Sequence, residues 1–294
     1  MRGRLPLAVL VAALLGAAGC GARAVESAGL PVTASIFPLA DFARRIGGDR
    51  VNVQTLIQGG GDAHDFQPAP RDLTQLARAR LFVYNGGGFE PWAARVIRQL
   101  PPDAVAVDTT AGLGLRDDRG TDPHVWLDPL LATRQVDAIR GGLIRADPAG
   151  RTVYDANAAA LAGELAALHD EFAAALGRCR RREFITAHAA FGHLARRYGL
   201  TMVPLSGLSP DAEPSPARLA AVVRLARQRG IAVVYTDPLE PSRAAEAVAR
   251  EAGLPLSHLY TLEGLTAEQG RRGDSYLTVM HENLRALIQG LACR

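Results

Sequence analysis

The chain contains no lysine: all 33 of its basic residues are arginine. Alongside many alanines and glycines, this bias marks a GC-rich genome rather than a function. Positive charge is not in excess either. The net charge of the 294 residues is +3, and Arg2 and Arg4 at the extreme N-terminus supply two of those charges. The remainder is near neutral, which leaves no electrostatic case for binding nucleic acid. The apolar run from Leu5 to Ala18 is interrupted by Pro6 and Gly16 and is too short to span a bilayer. Gly86-Gly87-Gly88 lacks the context of a phosphate-binding loop and reads as a turn. No His-x-x-x-His or similar catalytic phrase occurs. Disorder is excluded as well, because 48% hydrophobic residues over this length can build the cores of two domains.

The basic start, the apolar run and Ala17-Ala18-Gly19-Cys20 read together as an export signal over residues 1–19. Gly-Cys after small residues resembles a bacterial lipobox, with Cys20 as the acylated first residue of the mature chain and residues 20–29 as a tether. An acyl chain binds a membrane because each buried methylene contributes about 0.8 kcal/mol. The alternative is an ordinary secretory signal with an incidental cysteine. Cys179 and Cys293 remain. An exported protein can hold them as a disulfide, or both can be buried thiols.

From Leu30 onward, apolar strands alternate with amphipathic helices. Strands are expected at Pro31–Ser35, Val51–Ile57, Leu81–Tyr84 and Ala104–Val107. In the second half they are expected at Phe184–Ala187, Thr201–Pro204, Ile231–Thr236 and Leu256–Leu259. This βα alternation predicts parallel sheets covered by helices. Residues 147–178 differ: Leu161, Leu165, Leu168, Phe172 and Leu176 recur at three and four residues, which is helical periodicity. The expected architecture is α/β, with a lobe over 30–146, a long rigid connector helix over 147–178, and a second lobe over 179–294.

Three histidines stand about 60 residues apart: His64, His124 and His188. A zinc finger collects its ligands from one local hairpin, whereas this spacing needs loops from the whole fold. All three follow a predicted strand, and open parallel sheets bind ligands beyond the carboxyl ends of their strands. His64 and His124 would then face His188 across one cleft. A fourth ligand completes a tetrahedron. Asp274, at the mouth of the last helix, is the leading candidate, with Asp237 and Glu240 as rivals. Three imidazoles and one carboxylate suit Zn²⁺; a carboxylate in place of His188 would shift the preference toward Mn²⁺. His169 lies on the connector helix and His258 and His281 lack comparable phrases, so these three read as structural; His193, five residues after His188 and more than one helical turn away, reads as a residue behind the ligands or at the surface.

Several phrases carry a family resemblance. They are His64-Asp65-Phe66-Gln67-Pro68-Ala69-Pro70, Asp122-Pro123-His124-Val125-Trp126-Leu127-Asp128-Pro129, His188-Ala189-Ala190-Phe191-Gly192-His193-Leu194, Gly207 to Ser215, and Gly273-Asp274-Ser275-Tyr276. In this order they resemble the metal-binding subunits of zinc and manganese ABC importers, the cluster A-I solute-binding proteins. The resemblance implies two βα lobes joined by one long helix, ligand positions at His64, His124, His188 and Asp274, and a membrane permease as partner. The expected place is the outer face of the cell membrane or the periplasm, with the lipid anchor that the Cys20 phrase suggests, and a monomer is expected. The histidine-rich acidic loop of many zinc members is missing; only Asp117 to Asp122 stands in its place. A zinc hydrolase, with three histidines and an open water position, is the rival reading and needs Asp274 or Glu213 as a base. A surface adhesin role has no separate support in the sequence.

Overall fold

The computed structural model describes residues 29–57, 64–117, 120–209 and 213–294. Cys20 and the signal segment lie outside the described residues. In the first lobe β1 (Leu30–Ala34), β2 (Val51–Thr55), β3 (Leu81–Tyr84) and β4 (Val105–Asp108) form an all-parallel sheet in the order β2-β1-β3-β4. The crossovers carry α1 (Phe37–Gly47), α2 (Pro70–Leu76) and α3 (Ala93–Ile97). A short antiparallel pair that the sequence pattern does not announce, β5 (Arg116–Asp117) and β6 (Gly120–Thr121), precedes α4 (Pro129–Ala146). Asp128 starts α4: its side chain accepts a hydrogen bond from Leu130 N–H, and Pro129 supplies the φ that a first helical residue needs.

The second lobe repeats the plan. β7 (Glu183–Thr186), β8 (Thr201–Pro204), β9 (Val234–Thr236) and β10 (Leu256–His258) are parallel in the order β10-β9-β7-β8. Numbered within the lobe, that is the strand order of the first sheet. Its helices are α6 (Gly192–Arg197), α7 (Pro216–Arg229), α8 (Arg243–Ala252), α9 (Ala267–Arg272) and α10 (Tyr276–Gly290). The sequence pattern leaves α9 unmarked because its six residues present only one buried side chain, Gln269.

The connector α5 (Arg151–Leu176) has 26 residues, about 39 Å at the α-helical rise. It starts later than the sequence suggests, because Pro148–Gly150 forms a separate helical turn first. The five apolar residues that predicted it, Leu161 to Leu176, are all buried. They pack against α1 and α4 on one side and α10 on the other. One hydrophobic cluster therefore runs from Val32 through Leu165 to Leu287, and a second fills the space under α7 and α8. Among the described residues no helix is long and apolar enough to cross a membrane.

Cys179 and Cys293 are disulfide-bonded across 114 residues of sequence, fastening the C-terminus to the strand entry of the second lobe. Closing a loop of that length restricts the unfolded chain, a contribution of about 4–5 kcal/mol in the chain-entropy limit. The double variant Cys179→Ala/Cys293→Ala should unfold at lower urea, with its unfolding free energy reduced by up to about 4–5 kcal/mol in equilibrium denaturation. An unchanged midpoint would show that the bond adds no stability.

Candidate metal site

In a sheet of order 2-1-3-4, the crevice lies between strands 1 and 3, where the chain reverses its winding direction. In the second lobe this point is the end of β7, and His188 stands two residues beyond it. In the first lobe, the ends of β1 and β3 carry Ser35 and Asn85, which are joined through one buried carboxylate. Ser35 Oγ and Asn85 N–H donate to Glu90 Oε1 at 2.6 and 2.8 Å, and Gly86 N–H donates to Oε2 at 2.9 Å. Gly86 has φ +85°, and a Cβ there would lie 2.0 Å from Asp108 Oδ1, so only glycine fits. This turn delivers Phe89, whose ring lies 4.6 Å from that of His64 and 5.8 Å from that of His124.

His124 is fully buried, and its orientation is set by Asp122. His124 Nδ1–H donates to Asp122 Oδ1 at 3.0 Å, and the backbone N–H of His124 donates to the same oxygen at 3.1 Å. The carboxylate takes the Nδ1 proton, which leaves the Nε2 lone pair facing the seam between the lobes. Burial works to raise the Asp122 carboxyl, but hydrogen bonds and charge from His124, with His193 nearby, outweigh it and hold it below the ordinary range. Trp126 packs beside His124 at 5.4 Å and donates from Nε1 to Thr261 O at 2.6 Å. It therefore ties the His124 loop to a loop of the second lobe.

The three histidines converge. Ring centroids are 5.6 Å apart for His64 and His124, and 5.7 Å for His124 and His188. Nε2 of His124 and Nε2 of His188 are buried with no hydrogen-bond partner among the described residues. Burial first, and then the neighbouring His124 and His64, push the His188 imidazole down to about 3. It is therefore neutral, the form that coordinates a metal, across the physiological range. Glu240 Oε2 lies 3.7 Å from His188 Nδ1.

The carboxylate in the cluster is Glu263, which the sequence reasoning missed. Single ligating atoms of His64, His124 and Glu263 lie within 4.8 Å of one another, with His124 Nε2 4.0 Å from Glu263 Oε1. A tetrahedral zinc site needs neighbouring ligand atoms roughly 3.3–3.5 Å apart, so only a small contraction separates this group from a coordination shell. The preceding Leu262 is buried and holds φ at +63°, a left-handed conformation uncommon for a branched side chain. Asp274, the expected fourth ligand, is engaged elsewhere. Its Oδ2 accepts from Arg272 Nη2 at 2.5 Å and from Arg272 Nε at 3.1 Å. It does not cap α10 either, since Ser275 does so by accepting from Thr278 N–H. The rival Asp237 is also committed: it accepts from Thr261 N–H, Thr261 Oγ1–H and Leu239 N–H. No signal in the sequence separates Glu263 from other acidic residues that follow strands, because its position depends on the Leu262 turn and on docking against the first lobe.

Two parallel α/β lobes with a buried imidazole and carboxylate cluster in the seam between them define a metal-binding solute-binding protein. A family model described as zinc-uptake complex component A, periplasmic, matches residues 32–290, and the chain belongs to that family. It is 33% identical over 308 residues to the high-affinity zinc uptake system protein ZnuA of Bacillus subtilis, with 97% of each chain covered. It superposes on the Zn(II)-bound ZnuA-like domain of Streptococcus pneumoniae AdcA with a TM-score of 0.79 and 34% identity, covering 90% of this chain and 99% of that one. The match to the whole zinc-binding lipoprotein AdcA of S. pneumoniae is 34% identical over 277 residues. There the chain, matched over 88% of its length, spans 55% of the relative. Proteins of this family are substrate-binding proteins, and the chain is not an enzyme.

The buried Glu90 carboxyl offers a pH test of the scaffold. Desolvation pushes it up to about 7 against its hydrogen bonds. The native state therefore holds a proton that the unfolded chain has already lost, and the Glu90 contribution to stability falls as pH rises from about 4.5 to 7. Thermal unfolding of wild type and Glu90→Gln across that window should show this loss in the wild type only. Parallel curves for the two proteins would refute it.

Proposed function

We propose that the chain captures Zn²⁺ outside the cytoplasm and hands it to the membrane permease of an ABC importer. In this reading His64, His124 and His188 are the imidazole ligands, and Glu263 is the carboxylate. The observation that carries it is the pair of buried, unpartnered Nε2 atoms of His124 and His188 in one seam with Glu263. Burying such acceptors unmade costs about 1–3 kcal/mol each, a cost that a bound cation removes. Three imidazoles and one carboxylate favour zinc over manganese. Four protein ligands leave no position for an activated water, which suits cargo rather than hydrolysis. Acylation at Cys20 would keep the protein, acting as a monomer, near its permease.

Titration of the purified metal-free protein with Zn²⁺ should give binding tighter than micromolar, with manganese weaker, and binding should weaken in acid as imidazoles protonate. His188→Ala and Glu263→Ala should each weaken binding by more than the roughly 10–100-fold typical of outer-shell changes. Asp274→Ala should leave affinity near wild type. Loss of binding in Asp274→Ala with retention in Glu263→Ala would return the fourth ligand to Asp274. Failure of the wild type to bind zinc would end the reading.

A further inference from the structure

The four residues of the cluster are not tied to the two lobes alike. Glu263 belongs to the second lobe by sequence, but its loop is fastened to the first. Phe37 N–H donates to Glu263 O at 3.2 Å, and Trp126 Nε1–H holds Thr261 O. His64, His124 and Glu263 thus form one group anchored on the first lobe. His188 reaches it from the end of β7, and α6 begins only four residues later.

The first turn of α6 meets the first lobe through His193. His193 is buried, and its Nε2–H donates to the backbone oxygen of Asp122 at 2.9 Å. Arg196 Nη2 donates to the other ring nitrogen, Nδ1, at 3.0 Å. Arginine can only donate, so Nδ1 is the acceptor and the ring proton sits on Nε2, facing Asp122. Asp122 is also the residue that orients His124. Its Oδ2 lies 3.7 Å from His193 Nε2 and 3.9 Å from Arg196 Nη2. Close approach depends on Gly192, since a Cβ there would lie 2.5 Å from Asp122 Oδ2. Arg197 Nε adds a second bond over the same seam, donating to Asp128 Oδ2 at 2.8 Å.

We propose that the His193–Asp122 hydrogen bond is an inter-lobe latch, which holds the His188 segment against His64, His124 and Glu263 and so sets how long a bound ion stays. The inference rests on reading that cluster as the zinc site. His193 is a positioning residue: it touches no metal and acts through the segment that carries His188 and through the residue that aims His124. Release then begins with α6 leaving Asp122, which withdraws one ligand while three stay together.

The test uses zinc-loaded protein mixed with excess chromogenic chelator in a stopped-flow instrument. His193→Phe keeps a ring but removes the donor, and His193→Gln keeps an N–H near the Nε2 position. His193→Phe should release zinc about tenfold faster, the scale of one buried hydrogen bond, and His193→Gln should restore most of the slow release. A wild-type rate in His193→Phe, or equal acceleration in both variants, overturns the latch. Hydrogen exchange on the metal-free proteins gives an independent reading. Amides of residues 188–197 should exchange faster in His193→Phe than in wild type and His193→Gln, and unchanged exchange again overturns it. If the wild type binds no zinc, the cargo reading fails while exchange still decides the latch. Should His193→Phe not fold, Gly192→Ala, whose added Cβ would meet Asp122 Oδ2 at 2.5 Å and push the start of α6 off Asp122, decides in its place. Faster release and faster exchange support the latch, and unchanged values in both overturn it.

Discussion

Burying an imidazole nitrogen with nothing to accept from costs free energy, and among the described residues His124 and His188 each bury such an Nε2 in the same seam. The surrounding structure maintains that arrangement. Asp122 holds the Nδ1 proton of His124, so the ring cannot turn its lone pair elsewhere. Desolvation keeps His188 neutral, so protonation does not relieve the cost either. A buried, donor-poor cluster of this kind is one that a bound cation would stabilise.

Two layers of contacts stand behind the clustered side chains. In the first lobe, Glu90 gathers the ends of β1 and β3, and the resulting turn packs Phe89 against His64 and His124. Across the seam, Trp126 reaches Thr261, and Tyr276 Oη–H donates to Trp126 O at 2.5 Å. The loop carrying Glu263 is thereby tied into the first lobe, and α5 packs on both lobes at once. The segment from His188 through α6 is bonded to the first lobe by His193, through the backbone oxygen of Asp122, and by Arg197, through Asp128.

Much of the fold was legible. The strand Leu81–Tyr84 and the strand Thr201–Pro204 appear with the expected boundaries, and the other six are displaced by one to three residues at an end. Their apolar runs are flanked by Gly, Pro and Asp turns, and this contrast survives tertiary context. Helix α9 and the small β5–β6 pair were not legible, because neither has an apolar period of its own. The histidine triad was legible because each member sits in a distinctive phrase after a strand. Asp274 sits in an equally distinctive phrase, but in the structure its carboxylate pairs with Arg272 and it is Glu263 that lies with His64 and His124.

The sequence by itself determined the two-lobed α/β plan, the connecting helix and the three imidazoles, since all of these follow from local periodicity and short phrases. Only the tertiary structure decided the carboxylate and the inter-lobe bonding. Glu263 enters the cluster through a left-handed Leu262 and a loop docked on a distant lobe, and His193 meets a backbone oxygen 71 residues away. Such contacts depend on how two separately folded sheets are set against each other. That placement is fixed by α5 and by core packing summed over the whole chain, so no local stretch of sequence encodes it.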